Sequence, residues 1–175
     1  MERKVLIIGA GSKKDLLAPT PLVNLKPEIT TLDIEARHNP DVLWDLNVLP
    51  WPFTDGTFDE VHAYEVLEHL GTQGDAVSFF AHFGEIYRIL KPLGCLAGSC
   101  PRADSIWAWG DPSHRRVINE GSFTFLDQTQ YAEQVGKTAM TDFRSIWKGD
   151  FHAEALERTP DQLYFVLVAH KPARA

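Results

Sequence analysis

The chain has 175 residues, of which 44% are hydrophobic and 23% charged, a balance typical of a globular protein that buries one core. We therefore expect a single domain over residues 1–175. The formal net charge of −7 argues against a general nucleic-acid binder, because such proteins need a concentrated basic face to meet phosphates.

Membrane insertion and secretion are not expected from this sequence. No apolar run approaches the roughly 18 residues that a membrane span needs. The first residues lead straight into an apolar strand, which leaves no room for a signal peptide. Cys95 and Cys100 lie on opposite faces of one predicted strand, so they should remain unpaired. These features predict a cytoplasmic protein.

The first predicted element is a short apolar strand followed by a glycine-rich turn. A continuous apolar run such as Lys4 to Ile8 is typical of a central parallel strand that is buried on both faces. Gly9, Ala10 and Gly11 follow, and glycines after a buried strand let the backbone approach a ligand closely. A plain tight turn has the same signature, so this pattern alone is weak evidence. Three prolines between residues 18 and 27 predict that the first helix is short or replaced by a loop.

Two acidic residues mark the ends of the next two strands. The second strand is predicted from Ile29 to Leu32 and ends at Asp33, where a carboxylate can accept hydrogen bonds from both hydroxyls of a ribose. The third is predicted over Val42–Leu46, with Asp45 near its end. Alternatively, Asp33 is a solvated strand end or a helix cap, and Asp45 caps a loop through backbone amides. The connection between these strands is too short for a full helix.

A polar cluster follows the fourth strand, which is predicted to end near Tyr64. Glu65, Glu68 and His69 lie in a segment whose apolar residues have helical spacing. Ligands of open α/β sheets bind outside the carboxyl ends of the strands, so these side chains should line or border a pocket. For His69, a histidine that is satisfied inside a helix start is an equally good interpretation.

The clearest helix in the sequence begins after Asp75, which is a good N-cap. Its apolar positions recur on one face and predict packing against the core. A Lys-Pro-Leu-Gly turn should then end this helix before a fifth strand over Cys95–Cys100. A further helix is expected from Asp127 to Gly136, and two closing strands over Phe143–Trp147 and Leu163–Ala169, joined by residues 150–160.

The segment 105–116 is predicted to be a long loop that covers an acceptor pocket. Loops of about a dozen residues are usually functional or disordered, and its two tryptophans argue against disorder. His114 within it either orients or deprotonates an acceptor, or forms a hydrogen bond with Asp111 in a tight turn. No His/Cys/Asp cluster has the sequence spacing of metal ligands, so no metal is expected.

The stretch from Asp41 to Leu70 resembles the class I S-adenosylmethionine-dependent methyltransferases, and more narrowly their small-molecule, type 11-like subgroup. It combines a strand-end carboxylate, a Leu-Pro loop, an Asp-Gly turn, Phe-Asp, an apolar strand and Glu-Val-Leu-Glu-His-Leu. The resemblance covers roughly Lys4 to Arg102. It implies a three-layer Rossmann-like α/β fold with a mostly parallel seven-stranded sheet, whose last strand runs antiparallel between the fifth and sixth.

The resemblance also implies S-adenosylmethionine as cofactor and assigns residues to it. In the family, the glycine turn approaches the methionine tail, and backbone near the end of the fourth strand contacts the same moiety. The acid after the second strand binds the ribose, and the acid after the third binds the adenine amine. The residues at these positions are Gly9, Ala10, Gly11, Asp33, Ile34, Asp45, Leu46, Asn47, Tyr64, Glu65 and His69.

Two departures from the family pattern lie in the first motif. Ile7 stands where the family usually has an acid, and Lys13 stands where it usually has a third glycine. A non-catalytic module that binds S-adenosylmethionine or regulates another protein is therefore one alternative. A nicotinamide-dependent oxidoreductase is another, but it leaves Asp45 and the segment 65–70 unexplained.

The favoured function is methyl transfer to an oxygen or nitrogen of a small-molecule acceptor, with His114 as the candidate catalytic residue. No nucleic-acid or membrane partner is expected, and a homodimer is compatible with the sequence.

Overall fold

The computed structural model describes residues 2–18, 20–21 and 24–174. Its centre is a seven-stranded sheet with the order β3-β2-β1-β4-β5-β7-β6. The strands are β1 Glu2–Ile8, β2 Lys26–Asp33, β3 Val42–Leu43, β4 Phe58–Tyr64, β5 Leu90–Pro101, β6 Phe151–Arg158 and β7 Gln162–Ala169. Strands β1 to β5 pair in parallel, and β7 is antiparallel to both of its neighbours. The predicted fold class and the position of the antiparallel last strand are confirmed.

Four α-helices and two short 3-10 turns complete the part of the chain that the structure describes. The α-helices are α1 Ala76–Ile89, α2 Trp107–Gly110, α3 Glu120–Thr124 and α4 Gln128–Gln134; the 3-10 turns are Ala36–His38 and Leu67–His69. Helix α1 begins where predicted, because the Asp75 side chain accepts a hydrogen bond from the Ser78 amide. Among the described residues, no helix combines the length and apolar character that crossing a bilayer requires.

The two sheet faces are covered in different ways. Helices α1, α3 and α4 pack on one face, where Phe80, Phe123 and Tyr131 join the main apolar core. On the other face, the described residues between β1 and β2 form a loop, and Ala18 of this loop packs on a small second cluster. Only one 3-10 turn lies between β2 and β3. The predicted trimming of the first two crossovers is thus confirmed; Pro19, one of the prolines behind that prediction, lies outside the described residues.

A buried polar network fastens that loop to the sheet. The Arg3 guanidinium donates to Thr20 of the loop and to the Glu60 carboxylate of β4, at 3.0 and 2.8 Å. His62 bridges Glu60 and Tyr64, with its ring nitrogens 2.8 and 2.7 Å from their oxygens. The Tyr64 hydroxyl in turn accepts from the amides of residues 17 and 18. Hydrogen bonds from a buried charged network in the sheet therefore hold the described part of this loop in place.

Two of the predicted closing elements are wrong. Residues 143–147 form a turn, in which the Trp147 amide donates to the Phe143 carbonyl, rather than a strand. The alternation of aromatics there reflects packing, because both rings contact Phe80, with centroids 5.2 and 5.6 Å away. The sixth strand is instead β6, within the predicted connection 150–160. It lies at the sheet edge and is mostly exposed, so its sequence lacks the apolar alternation of a half-buried strand.

Other boundaries differ by a few residues. Strand β3 is only two residues long, because the chain turns after Trp44, whose amide donates to the Asp33 carbonyl. Strand β5 begins at Leu90, and the predicted Lys-Pro-Leu-Gly turn forms an irregularity inside it, with Leu93 at a φ of +61°. The predicted helix start at 65–70 is the 3-10 turn Leu67–His69. The predicted loop 105–116 contains α2.

Candidate functional site

A cavity of about 420 Å³ opens at the carboxyl ends of β1 to β4. This is the edge at which open α/β sheets bind ligands, and the volume lies in the range of small-molecule sites. Eight of the eleven predicted cofactor residues line it: Gly9, Asp33, Ile34, Asp45, Leu46, Asn47, Glu65 and His69. Of the other three, Ala10 and Gly11 belong to the adjoining turn, and Tyr64 directs its hydroxyl to the opposite sheet face.

The glycine turn after β1 is shaped by close backbone contacts. Gly9 and Gly11 have φ values of +57° and +55°, which residues with a side chain rarely adopt. A Cβ on Gly9 would lie 2.3 Å from a methyl group of Val66, so glycine is needed for the turn to approach the segment after β4. Of the two residues that depart from the family pattern, Ile7 is buried and Lys13 is exposed.

Asp33 presents a fixed carboxylate at the end of β2. One oxygen accepts from the Gly11 amide and the other from the Glu35 amide, both at 2.8 Å, and the His38 ring lies 3.4 Å away. Burial acts to raise the pKa of Asp33, but the two amide hydrogen bonds and His38 outweigh it and hold that pKa below its usual value. The side chain is therefore an oriented, ionised acceptor.

Asp45 lies in the loop after β3 and is tied to its own loop. Its Oδ1 accepts from the Asn47 backbone amide at 2.9 Å and from the Asn47 side chain at 3.1 Å. Asn47 Oδ1 accepts in turn from the Gly71 amide, which joins this loop to the one that follows β4. The loop-capping interpretation of Asp45 is thus observed, and it engages only one of the two carboxylate oxygens among the described hydrogen bonds.

Glu65 begins the segment after β4 in a strained conformation. Its φ is +54°, a region that costs a residue other than glycine on the order of 1–3 kcal/mol. Strand β5 holds it in place, because the Glu65 amide donates to the Ser99 carbonyl and its carboxylate accepts from the Ser99 hydroxyl at 2.7 Å. Such strain is concentrated at functional sites, where the surrounding structure fixes the backbone.

Next to the part of the cavity that His69 lines, the side chains of Glu68, His69 and His114 come together, with one possible ligand atom from each within 4.8 Å of the others. Glu68 is 1% exposed, and neither of its carboxyl oxygens has a hydrogen-bond partner among the described residues. Burial therefore raises the pKa of Glu68 to about 8. His114 Nε2 lies 4.0 Å from Glu68 Oε1, and the rings of His114 and His69 meet edge to face with centroids 4.7 Å apart.

The loop 105–116 brings His114 to this position. The backbone amides of Arg115 and Arg116 both donate to the Glu68 carbonyl, at 2.8 and 3.1 Å. The His114 amide donates to the Asp111 carbonyl, whereas its ring nitrogen Nδ1 lies 3.2 Å from the Ala108 carbonyl oxygen. His114 thus forms a hydrogen bond with Asp111 in a turn, through its backbone amide, while its ring faces Glu68.

The sequence prediction placed Glu68 at the border of a pocket but gave it no cofactor or catalytic role, and it expected no metal. The signal for Glu68 was a carboxylate at an otherwise apolar position of a short turn. Spacing could not reveal the cluster, because His114 comes from a distant loop and is placed by backbone hydrogen bonds to the turn that contains Glu68.

Comparison with known proteins relates this geometry to a family. Residues 16–98, just under half of the chain, match the family model described as a methyltransferase domain. A curated protein of Mycolicibacterium smegmatis, named a probable S-adenosylmethionine-dependent methyltransferase, is 29% identical over 128 residues, which are 69% of this chain and 48% of that protein. The chain is therefore similar in sequence to S-adenosylmethionine-dependent methyltransferases.

Solved structures agree with this assignment at the level of the fold. The 1,6-didemethyltoxoflavin N1-methyltransferase of Burkholderia thailandensis, solved with its substrate and S-adenosylhomocysteine, has a TM-score of 0.60 at 15% identity. It is matched over 97% of this chain and 72% of its own. A methyltransferase complexed with the Trm112 activator of Haloferax volcanii has a TM-score of 0.58 at 18% identity, over 96% and 83% of the two chains. The chain spans about half the length of the Mycolicibacterium relative.

Proposed function

We propose that this methyltransferase transfers a methyl group from S-adenosylmethionine to an oxygen or nitrogen of a small molecule, as a single domain over residues 1–175. One observation carries the proposal. A single cavity is lined both by an oriented carboxylate, Asp33, and by His69, which forms a cluster with the buried acid Glu68 and with His114. The Asp33 end suits the hydroxyls of a nucleoside, and the end next to the cluster suits the handling of a proton.

The residues of the cavity fit the adenosine part of the cofactor. Asp33 has its two oxygens oriented by backbone amides, which leaves lone pairs for the ribose hydroxyls. Asp45 has one oxygen that can accept from the adenine amine, and Leu46 and Asn47 flank the same part of the cavity. Ile34 lines the cavity although 67% of its surface is exposed, so a bound ring would cover apolar area there.

The methionine part fits the opposite wall. The absence of a Cβ on Gly9 lets the turn from Gly9 through Ala10 to Gly11 approach Val66, and the backbone of the adjacent Glu65 is fixed at a φ of +54°. The missing acid at Ile7 removes one contact to the ammonium group of the cofactor. The exposed side chain of Lys13 leaves the neighbouring space free.

The bound cofactor supplies an activated methyl group on a sulfonium. The protein has to align the acceptor for an in-line displacement and exclude water, which contributes on the order of 7–11 kcal/mol. The His114 ring donates its Nδ1 proton to the Ala108 carbonyl, so Nε2 keeps a lone pair that can accept the acceptor proton. A general base of this kind contributes about 10²–10⁴ in rate.

A small-molecule acceptor follows from the charge and from the relatives. The net charge of −7 disfavours a polyanionic acceptor, and the Burkholderia thailandensis relative was solved with a small heterocycle. The free, buried thiols of Cys95 and Cys100 favour a reducing, cytoplasmic location. A protein partner or a homodimer could complete acceptor recognition, as the complex of the Haloferax volcanii relative with an activator suggests.

Ligand-dependent thermal unfolding tests the proposal. A ligand that binds the folded state at 100 times its dissociation constant stabilises it by about 2.7 kcal/mol. We expect S-adenosylhomocysteine to raise the unfolding temperature and NADH to leave it unchanged. A shift with NADH alone would favour the oxidoreductase, which the comparisons do not support. Binding without any transfer of labelled methyl to a panel of small hydroxyl and amine compounds would instead favour the non-catalytic module.

A further inference from the structure

The Glu68 side chain is a buried acid that the fold leaves without a partner. Almost all buried polar groups in native proteins form a hydrogen bond, and each exception calls for an explanation such as an ion. Here both oxygens of a carboxyl group that is 1% exposed lack a partner among the described residues. The two side chains that face Glu68 are the imidazoles of His69 and His114, whose nitrogens can bind a metal ion. Neither is a guanidinium or ammonium group, which would pair with the carboxylate as a permanent cation.

The hydrogen bonds of the two histidines determine which nitrogens remain available. Ser113 Oγ donates to Asp111 Oδ1, so it accepts from the His69 Nδ1 proton at 3.3 Å. His114 Nδ1 donates to the Ala108 carbonyl at 3.2 Å. In both rings Nε2 therefore keeps its lone pair. Metal-binding histidines show the same arrangement, in which the second ring nitrogen donates to an oxygen that fixes the tautomer and the ring orientation.

We propose that Glu68, His69 and His114 bind a divalent transition-metal ion such as Zn²⁺. Two imidazoles and one carboxylate are a donor set that suits zinc and its neighbours better than magnesium or calcium, which prefer oxygen ligands. Bonds of about 2.0–2.2 Å require ligand atoms to lie within roughly 4.3 Å of one another. Glu68 Oε1 and His114 Nε2 are already 4.0 Å apart, and the 4.8 Å limit of the cluster leaves only a small side-chain rotation to be made.

Three protein ligands would leave at least one position of a tetrahedral site free, and one of the three, His69, lines the cavity. The role of the ion rests on the proposed function, although ion binding itself does not. With an ion bound, His114 Nε2 is a ligand, so the ion takes the place of His114 as the group that activates the acceptor. An acceptor hydroxyl that enters the free position loses its proton to solvent, because the cation lowers the hydroxyl pKa. The oxygen then forms a bond to the methyl carbon, the carbon–sulfur bond breaks with its electron pair left on sulfur, and the sulfonium becomes a neutral thioether.

Metal titration of the full chain, stripped with a chelator, tests the inference. Zn²⁺ is the probe in calorimetry, and Co²⁺ is the probe in visible absorption, which reports its coordination. We expect one ion per chain and at least a tenfold loss of affinity in Glu68→Gln and in His69→Ala. Ser113→Ala, which removes the acceptor of the His69 Nδ1 proton, should weaken binding by about tenfold. His152→Ala is the matched control, since His152 pairs with Asp127 outside the cluster.

Three outcomes would overturn the inference: no stoichiometric ion in the parent protein, equal affinity in the parent and in both cluster variants, or a loss in His152→Ala as large as in Glu68→Gln. A thermal scan of each metal-free variant shows that it is folded. S-adenosylhomocysteine binding, measured on the same samples, separates this inference from the proposed function. Methyl transfer that persists unchanged in chelator overturns the role of the ion in the reaction and leaves the methyltransferase, whereas ion binding without cofactor binding leaves the metal site and overturns the proposed function.

Discussion

The two ends of the cavity treat a buried carboxyl group in opposite ways. At the adenosine end, the backbone amides of residues 11 and 35 donate to Asp33 and keep its pKa below the usual value. At the acceptor end, Glu68 accepts from no described donor, and burial raises its pKa to about 8. The fold thus fixes a negative charge where the proposed cofactor has hydroxyl donors. At the other end, the charge depends on what enters the cavity.

Local geometry explains this difference. Asp33 follows a central strand directly, next to a glycine turn whose amides point at the strand end, so its partners are within reach as soon as the sheet forms. Glu68 lies in a 3-10 turn and is covered by a loop that returns from beyond β5. That loop contributes backbone donors to the Glu68 carbonyl but none to its carboxyl group. We therefore expect substitutions at the acceptor end to lower kcat and substitutions at the adenosine end to weaken cofactor binding.

The largest effect should come from His114→Ala at the acceptor end. Loss of a group that accepts a proton or binds an activating ion should lower kcat by about 10²–10⁴. The affinity for S-adenosylhomocysteine should change less than threefold, because His114 lies outside the adenosine end. Single-turnover kinetics together with calorimetry separates the two quantities. An equal loss of kcat and of affinity for S-adenosylhomocysteine would show that the two ends do not have separate roles.

The next largest effect should come from Asp33→Ala at the adenosine end. Hydrogen bonds to a charged group contribute about 1.5–3 kcal/mol, so S-adenosylhomocysteine should bind roughly 10- to 150-fold more weakly. Asp33→Asn is the matched control, because the amide keeps the size of the side chain and one acceptor oxygen. If the folded Asp33→Ala variant retains the parent affinity in calorimetry, the ribose assignment is wrong.

A smaller effect is expected for Asp45→Asn. Only one oxygen of Asp45 is engaged by Asn47, and an amide oxygen can still accept from the adenine amine. We expect affinity to fall by about 1 kcal/mol, the typical net contribution of one hydrogen bond. Calorimetry with S-adenosylhomocysteine and with adenosine should show the same loss for both ligands. A loss confined to S-adenosylhomocysteine would place Asp45 away from the adenine ring.

The same contrast explains what the sequence could predict. The acids at 33 and 45 follow predicted strands directly, so their place at the sheet edge follows from a local pattern. Helix α1 was predictable for the same reason, since its cap and its apolar face lie within one short segment. Strand β4 likewise ends at Tyr64, where the sequence predicted its end.

Features that depend on distant segments escaped prediction. The burial of Glu68 is produced by the loop that carries His114, and nothing near Glu68 in the sequence encodes it. The aromatics at 143 and 147 were interpreted as a strand, but their spacing reflects contacts with α1. The edge strand β6 has a largely exposed sequence, so neither face carried an apolar signal.

The smallest effect is expected for Lys13→Gly, which probes whether the altered first motif impairs the adenosine end. If the Lys13 ammonium pointed into the cavity and lay about 6 Å from the sulfonium of the cofactor, the two charges would repel each other by roughly 3 kcal/mol at an effective dielectric of 20. The Lys13 side chain is exposed, so water and salt should screen that interaction. We expect the affinity ratio of S-adenosylhomocysteine to S-adenosylmethionine to stay within twofold of the parent value. Lys13→Gln, which removes the charge without adding backbone freedom, is the control. A ratio that narrows by fivefold or more in both variants would show that the lysine enters the cavity and weakens binding of the methyl donor.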